Sequence, residues 1–512
     1  MYARIESGSI VGVEGLPIEI EVDVSSGLPG MVIVGLPETS VRESKERVHS
    51  AIKNQGFSLP QKKYRINLAP ADIRKEGSLF DLPIALGILC ALGHCDYTTF
   101  YRKIMVVGEL SLEGNLRKVR GVLPITIMAK ESGYEGIIVP FENRFEAGAI
   151  EGINVYPVKT LSEAIEFLSG RIKLEPFSEG ITSSNGEDYG VDMQDVRGQE
   201  GAKRALEIAV AGGHNVLMVG PPGSGKTMLA RRVPTIMPPM SLEESLETTR
   251  IYSVAGLVDD NIITTRPFRS PHHSISDVGL IGGGSRFSPG EVSLAHNGVL
   301  FLDEMPEFSR RALEVLRQPL EDGFVVISRA GYKVTIPARF MLIGAMNPCP
   351  CGYFGYEHQK CKCTINQIKN YQSRISGPLL DRIDIHIDVP SIPYEELQKR
   401  PPGESSSRIR ERIIRARRIQ ERRFENRAIN FNAHMGEREI REFCKLDEEG
   451  HGLLSGAMDR FGFSSRAIKR ILKVARTIAD LDGSERIRVH HLAEAINYRI
   501  VDKLSLTNIM FV

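Results

Sequence analysis

The chain has 512 residues, 42% of them hydrophobic and 25% charged, with a formal net charge of +1. That length is too great for one core and predicts about three domains, and no apolar run is long enough to span a membrane. The near-zero charge excludes a global field that would gather nucleic acid, so such contacts must come from local basic patches or a pore lined by several subunits. The seven cysteines are odd in number and locally clustered, and the first residues carry no charged-then-apolar leader. Both features predict a cytoplasmic protein and argue against a secreted disulfide scaffold.

Residues 2–35 alternate apolar and polar, as in Ile18-Glu-Ile-Glu-Val-Asp-Val24, and predict antiparallel strands punctuated by Gly27-Leu-Pro-Gly30. From Ser40 to Gly56, Val41, Val48, Ala51 and Ile52 fall at helical spacing. Tyr64–Leu68 reads as a strand and Asp81–Leu92 as a strongly apolar helix. Met105–Leu110 and Gly136–Pro140 read as short strands flanking a helix from Leu123 to Ser132. These elements predict an α+β domain over residues 1–170. Val107-Gly-Glu-Leu-Ser-Leu-Glu-Gly-Asn-Leu-Arg117, followed by Gly136-Ile-Ile-Val-Pro-Phe-Glu-Asn143, resembles the proteolytic domain of Lon-type ATP-dependent proteases, a ribosomal protein S5 domain 2-like fold. That family uses a Ser–Lys dyad. The resemblance puts the nucleophile near Ser78 or Leu79 and the lysine position at Leu123. A serine without an adjacent base stays protonated at neutral pH, so an inactive domain is expected. Residues 171–194 are polar, rich in glycine and serine and without period, which predicts a linker.

Val216–Val219 reads as a buried parallel strand ending at Gly220. Gly220-Pro-Pro-Gly-Ser-Gly-Lys-Thr227 then matches the phosphate-binding loop position for position, with Pro221, Pro222, Gly223 and Ser224 in its variable places, Gly225 before the lysine and Met228 after the threonine. Glycines let backbone N–H groups turn toward phosphate oxygens, and the following helix presents its positive end to the same anion. Lys226 is expected to reach the β and γ phosphates of ATP, and Thr227 to ligate Mg²⁺. Gly298-Val-Leu-Phe-Leu-Asp-Glu304 is a second apolar strand ending in two carboxylates. Asp303 is placed to hold Mg²⁺ and Glu304 to polarise the attacking water. A third strand, Phe340–Asn347, ends in a polar Asn347 suited to a γ-phosphate and water contact.

This order of motifs resembles the AAA+ class: an α/β P-loop core (195–395) followed by a helical lid (396–512). The resemblance implies that Asp195-Val-Arg-Gly-Gln199 packs near adenine ahead of a helix over Gly201–Ala211, and that Asn347 is sensor 1. It makes Arg382, in Leu380-Asp-Arg-Ile-Asp384, the arginine finger, with Arg374 the second choice, and Arg466, opening a helix to Ala479, sensor 2. A finger donated to a neighbour implies a ring, in this class a homo-hexamer. Two insertions, Arg266–His296 and a hairpin over Asp322–Pro337, resemble the helix-2-insert branch that includes magnesium chelatase ATPase subunits and MCM helicases. With the Lon protease-like domain in front, nearly the whole chain is similar to the ComM/YifB family. That resemblance implies a motor acting on DNA, branched or single-stranded, in unwinding or branch migration during recombination or natural transformation. Arg329 and Lys333, flanking the hairpin tip, would then contact phosphates, or else form an ordinary solvated turn. A chelatase-type motor driving a partner subunit, and an ATP-dependent Lon-like protease, remain the alternatives.

Cys349-Pro-Cys351 and Cys361-Lys-Cys363, nine residues apart, can supply four thiolates to a tetrahedral Zn²⁺; free thiols or a redox pair are the other readings. His272-His273 reads as local packing. In the lid, Arg408–Arg423 has an apolar stripe at Ile409, Ile413, Ala416 and Ile419 with arginine nearly everywhere else. Those arginines form either a solvated face or a DNA-contacting tract, and Arg466–Arg476 poses the same choice. Val489–Asn497 reads as the closing helix.

Overall fold

The computed structural model describes residues 1–95, 103–177, 189–259, 261–284, 287–329, 332–356 and 360–507. They divide into two compact units. One comprises Met1–Ser184, Leu242–Thr264 and Ser328–Ile336; the other comprises Asn185–Ser241, Thr265–Ile327 and Pro337–Val512.

In the first unit, strands β1 (Tyr2–Val11), β2 (Glu14–Ser25), β3 (Gly30–Val34) and β4 (Lys63–Ala69) form a sheet of order β1-β2-β4-β3. The two-residue alternation turns Ile18, Ile20, Val22 and Val24 of β2 to one face, where Ile5, Ile66 and Leu68 join them in the core. The helix Asp81–Ala91 covers that face and is buried at almost every position. It comes close because Gly87 has no side chain: a Cβ there would lie 2.7 Å from Val22 Cγ2. The predicted antiparallel pairing holds for β1 and β2, but β3 runs parallel to β4. The helix Thr39–Asn54 lies between them and returns the chain to the same end of the sheet, which permits only a parallel pair.

A second sheet, β5 (Ile104–Val106), β6 (Gly136–Pro140) and β7 (Asn154–Val158), is wholly parallel. The single strand predicted over Met105–Leu110 is broken: Val107 and Gly108 leave β5, and Gly108 exchanges backbone hydrogen bonds with Leu79 and Leu82. Phe177 forms a bridge to Val155, so the start of the predicted linker is ordered against β7; residues 178–188 lie outside those described. Cys90 and Cys95 form a disulfide at the end of the apolar helix, and the other five cysteines are free. One bonded pair therefore stands where the cysteine count pointed away from a disulfide framework.

The helix Leu242–Ala255 belongs to this first unit, although the sequence boundaries place it in the ATPase core. The physical reason is a buried polar knot. Ser253 Oγ donates to Glu146, the Gly121 N–H donates to Ser253 O at 3.1 Å, and the Leu123 N–H donates to Glu146 Oε1 at 2.9 Å. Burial raises the Glu146 pKa, and these donors oppose it. Leu123, at the dyad-lysine position, is fully buried in an apolar cluster with Ala149, Ile150, Leu246 and Ile262. Ser78 Oγ donates to the Glu109 carboxylate, not to an amine.

Leu123→Lys would restore the dyad by residue type while burying an unpaired ammonium. We expect no casein cleavage and a loss of about 2–5 kcal/mol, the range for disrupting a packed leucine site, in urea unfolding. Cleavage that appears in this variant and disappears on Ser78→Ala would overturn the expectation that position 123 is too buried and apolar to hold the base of a working dyad.

In the second unit a five-stranded parallel sheet has the order β9-β10-β11-β8-β12, with β8 Val216–Val219, β9 Phe268–Arg269, β10 Val299–Leu302, β11 Met341–Met346 and β12 Ile385–Asp388. Its strands are near-continuous apolar runs because helices cover both faces. The lid helices Ser406–Arg423 and Ser465–Leu481 share one hydrophobic core with the helix Glu200–Gly212, through Ile413, Ala416, Ile471, Ile478, Ile208 and Val210. The closing helix runs over Val489–Thr507, ten residues beyond its predicted end at Asn497. Strands Phe324–Arg329 and Tyr332–Pro337 pair as the predicted hairpin, of which Ser328–Ile336 belong to the first unit. Its tip and the Arg329 side chain lie outside the described residues, while Lys333 is exposed.

Candidate active site

Gly220, Asp303 and Asn347 each follow the last residue of a parallel strand, so all three stand at the carboxyl edge of the sheet, where open α/β sheets bind ligands. Gly220 is obligatory: a Cβ there would lie 2.2 Å from Val389 O. Gly223 and Gly225 take φ of +76° and +93°, which winds the loop so that its N–H groups turn inward ahead of the helix Lys226–Ile236.

Lys226 Nζ donates to Gly220 O at 2.7 Å and Pro221 O at 2.8 Å, and lies 3.4 Å from both Ser224 Oγ and Asn347 Oδ1. Burial lowers its pKa, and the charges of Asp303, Glu304 and Asp388 oppose that shift. Thr227 Oγ1 donates to Asp303 Oδ2 at 2.7 Å, and the Glu304 N–H donates to Asp303 Oδ1 at 3.0 Å. Glu304 itself has φ +49°, a left-handed conformation that costs a non-glycine residue on the order of 1–3 kcal/mol. That turn leaves its carboxylate exposed at the mouth of the site. Lys226, Thr227, Asp303, Glu304 and Asn347 thus form one connected group. Gln199, in the segment expected near adenine, donates to Ser224 O and Pro390 O and ties that segment to the loop.

The sequence reads His272-His273 as local packing, and the structure gives His273 a further neighbour. Its Nδ1 lies 3.8 Å from Glu304 Oε2, and its ring packs against His272 and Phe308. No spacing rule links residues 273 and 304. The available signal was a polar pair just beyond a short strand next to the acidic one.

The arginines are arranged differently. Arg382 is 17% exposed and pairs with Glu321. Arg466 is 74% exposed and lies 4.0 Å from Asp381. Neither side chain bonds to the phosphate loop. Arg374 donates to Pro306 O and pairs with Glu307 at 2.8 Å, bracing the turn that follows Glu304. In the basic lid helix Arg410 caps Thr235 O, Arg412 pairs with Glu207 and Glu404, Arg417 stacks on Phe431, and Arg423 pairs with Asp480. Arg408, Arg415, Arg418 and Arg422 remain exposed.

Behind Arg382, the buried Asp384 joins core and lid, accepting from Arg470 and the Asn215 N–H and facing His214. Burial would raise its pKa, but Arg470 and His214 hold it well below the usual carboxylate range. Its stabilising contribution is therefore complete above about pH 3.9, the ordinary aspartate value, and falls away as pH drops toward the depressed folded value. Asp384→Asn should cost about 3–5 kcal/mol in urea unfolding at pH 7, because Arg470 loses its partner. The gap to wild type should shrink below about pH 4.

The sulfurs of Cys349, Cys351, Cys361 and Cys363 lie within 4.8 Å of one another, and those of Cys349, Cys351 and Cys361 are separated by 3.4, 3.6 and 3.7 Å. A tetrahedron with metal–sulfur bonds of about 2.3 Å has edges of about 3.8 Å. Two backbone N–H groups, of Cys351 and Cys363, point at Cys363 and Cys361 sulfurs at 3.4 Å. The donor set and spacing fit Zn²⁺. Among the described residues, Asp482, His490 and His491 form another close group. There His491 Nδ1 accepts the Arg488 N–H at 2.9 Å, so its Nε2 carries the proton toward Asp482, which disfavours a metal.

Three family profiles match the chain: magnesium chelatase, subunit ChlI, over residues 192–397; subunit ChlI of Mg-chelatase over 20–143; and its C-terminal region over 403–499. The chain is 45% identical to the competence protein ComM of Haemophilus influenzae over 98% of both chains. The chain belongs to the ComM/YifB family. YifB of Escherichia coli is 46% identical over 98% of this chain and 97% of its own. The 38 kDa magnesium-chelatase subunit of Rhodobacter capsulatus is 27% identical over 30% of this chain and 48% of its own. The magnesium chelatase-like AAA+ domain marks the chain as an ATPase. No described helix is long and apolar enough to cross a membrane.

Proposed function

We propose that the chain is a cytoplasmic, ring-forming motor, a homo-hexamer in which ATP hydrolysis drives helicase or branch-migration movement on DNA. The observation that carries the hydrolysis chemistry is the Thr227–Asp303 hydrogen bond, which joins a hydroxyl and a carboxylate suited to Mg²⁺. When bound, Mg²⁺ neutralises charge on the β and γ phosphates. Lys226 exchanges its loop carbonyls for phosphate oxygens. Glu304 orients and deprotonates the attacking water, held from behind by His273, and Asn347 fixes the γ-phosphate beside Lys226. Arg382, freed from Glu321, reaches the neighbouring subunit's nucleotide, with Arg374 the second choice, and Arg466 closes the lid over its own. Zn²⁺ on Cys349, Cys351, Cys361 and Cys363 is structural.

The DNA substrate is supported by similarity over nearly the full length to a protein named for competence, and by the hairpin inserted before β11. A chelatase-type motor acting on a partner subunit is the second reading, supported by the three chelatase profiles. ATP turnover by the full chain on a synthetic four-way junction separates them. Stimulation that weakens with salt is expected. Turnover indifferent to branched, single-stranded and duplex DNA at low salt would favour the chelatase reading.

Glu304→Gln should lower kcat by about 10²–10⁴-fold with nucleotide still bound. Mixing it with Arg382→Ala should recover part of the ATPase activity, since one interface then combines an intact finger with an intact carboxylate. Mixed rings no more active than either parent would remove Arg382 as a finger acting in trans.

A further inference from the structure

The four-cysteine loop sits on the nucleotide site. Gly352, one residue after Cys351, adopts φ +89°, and a Cβ on it would lie 2.5 Å from Pro222 Cδ in the phosphate loop. Its N–H closes a turn onto Cys349 O at 2.9 Å, so the contact with Pro222 is part of the cysteine turn itself. Tyr356, in the same loop, donates to Asp388 at the end of β12, the strand paired with β8 immediately before the phosphate loop. At its entry, Cys349 follows Asn347 by two residues, and Pro348 O accepts from Gln372 Nε2 at 3.0 Å. The loop is therefore anchored to Pro222, to Asp388 and to Asn347, three points around one phosphate pocket.

Among the described residues, a small hydrophobic patch, Cys349 and Ile368 with Phe354 beside them, packs the inside of this loop. A metal ion holding four sulfurs would supply the rigidity that so little apolar surface cannot. We propose that metal occupancy of the four-cysteine loop sets nucleotide affinity: Zn²⁺ holds Gly352 against Pro222 and Asn347 in register, and its loss loosens the phosphate loop. This rests on the zinc reading above. Linkage makes the effect reciprocal, so bound nucleotide must tighten zinc by the same factor.

The full chain, purified after growth with zinc, is assayed for metal by mass spectrometry and for mant-ADP binding by fluorescence anisotropy, in excess Mg²⁺. About one zinc per chain is expected; none would overturn the zinc reading itself. Stripping zinc with the chelator TPEN should weaken mant-ADP by about 5–150-fold, the usual span of coupled sites, and added Zn²⁺ should restore it. ADP should in turn slow zinc loss to TPEN. Zinc that is present while mant-ADP affinity ignores its removal would overturn the coupling and leave the zinc reading standing. Gly352→Ala should retain zinc yet lose most of the coupling, and full coupling in that variant would exclude the Pro222 contact as the route. If that variant is insoluble, the chelation and protection measurements on the unmodified chain decide alone.

Discussion

The candidate nucleotide site depends on the register of parallel strands. Val219 of β8 stands level with Met346 of β11 and with Asp388 of β12, and Leu302 of β10 stands level with Gly344 of β11. The residues that follow are thereby delivered to one edge, with the Gly220 N–H bonded to Met346 O. A slip of one residue would turn every side chain of a strand to its other face. Lys226 would then lose Asn347, and Thr227 would lose Asp303. Packing enforces the register, because alternate side chains of β8, β10 and β11 fill two separate cores on the two faces of the sheet.

Buried charge holds the lid to this platform. Asp384 sits two residues beyond Arg382 and is neutralised by Arg470 on a lid helix, four residues after Arg466. Asn215, at the start of β8, donates to Arg382 O and accepts the Leu342 N–H. The backbone of the proposed finger is thus tied both to the strand that leads into the phosphate loop and to the strand that leads to Asn347.

Most of the architecture was legible in the sequence because its signals are local. Strand period, the glycine pattern of the phosphate loop and the acidic end of β10 depend on neighbours within a few residues. Several of the differences involve partners distant in the chain. β3 looked antiparallel because alternation gives no direction. The helix Leu242–Ala255 was assigned by chain position, yet Ser253 and Leu246 find their partners at Glu146 and Leu123. His273 near Glu304, and Arg374 braced on Glu307, had no spacing to announce them. The lid arginines were ambiguous for the same reason, and their acceptors turn out to lie on other helices.

The sequence by itself carries the phosphate-loop pattern of Gly220–Thr227, the Asp303-Glu304 pair and the order of motifs that resembles the AAA+ class, since backbone conformation and ligand chemistry restrict which residues can stand there. It also puts leucine at position 123, where the resemblance to Lon-type proteases places the dyad lysine. Tertiary structure alone decided which arginines are occupied, that four cysteine sulfurs converge within 4.8 Å of one another, and that their loop rests on Pro222. The reason is physical: occupancy, convergence and contact are distances between residues far apart in the chain, and packing sets those distances.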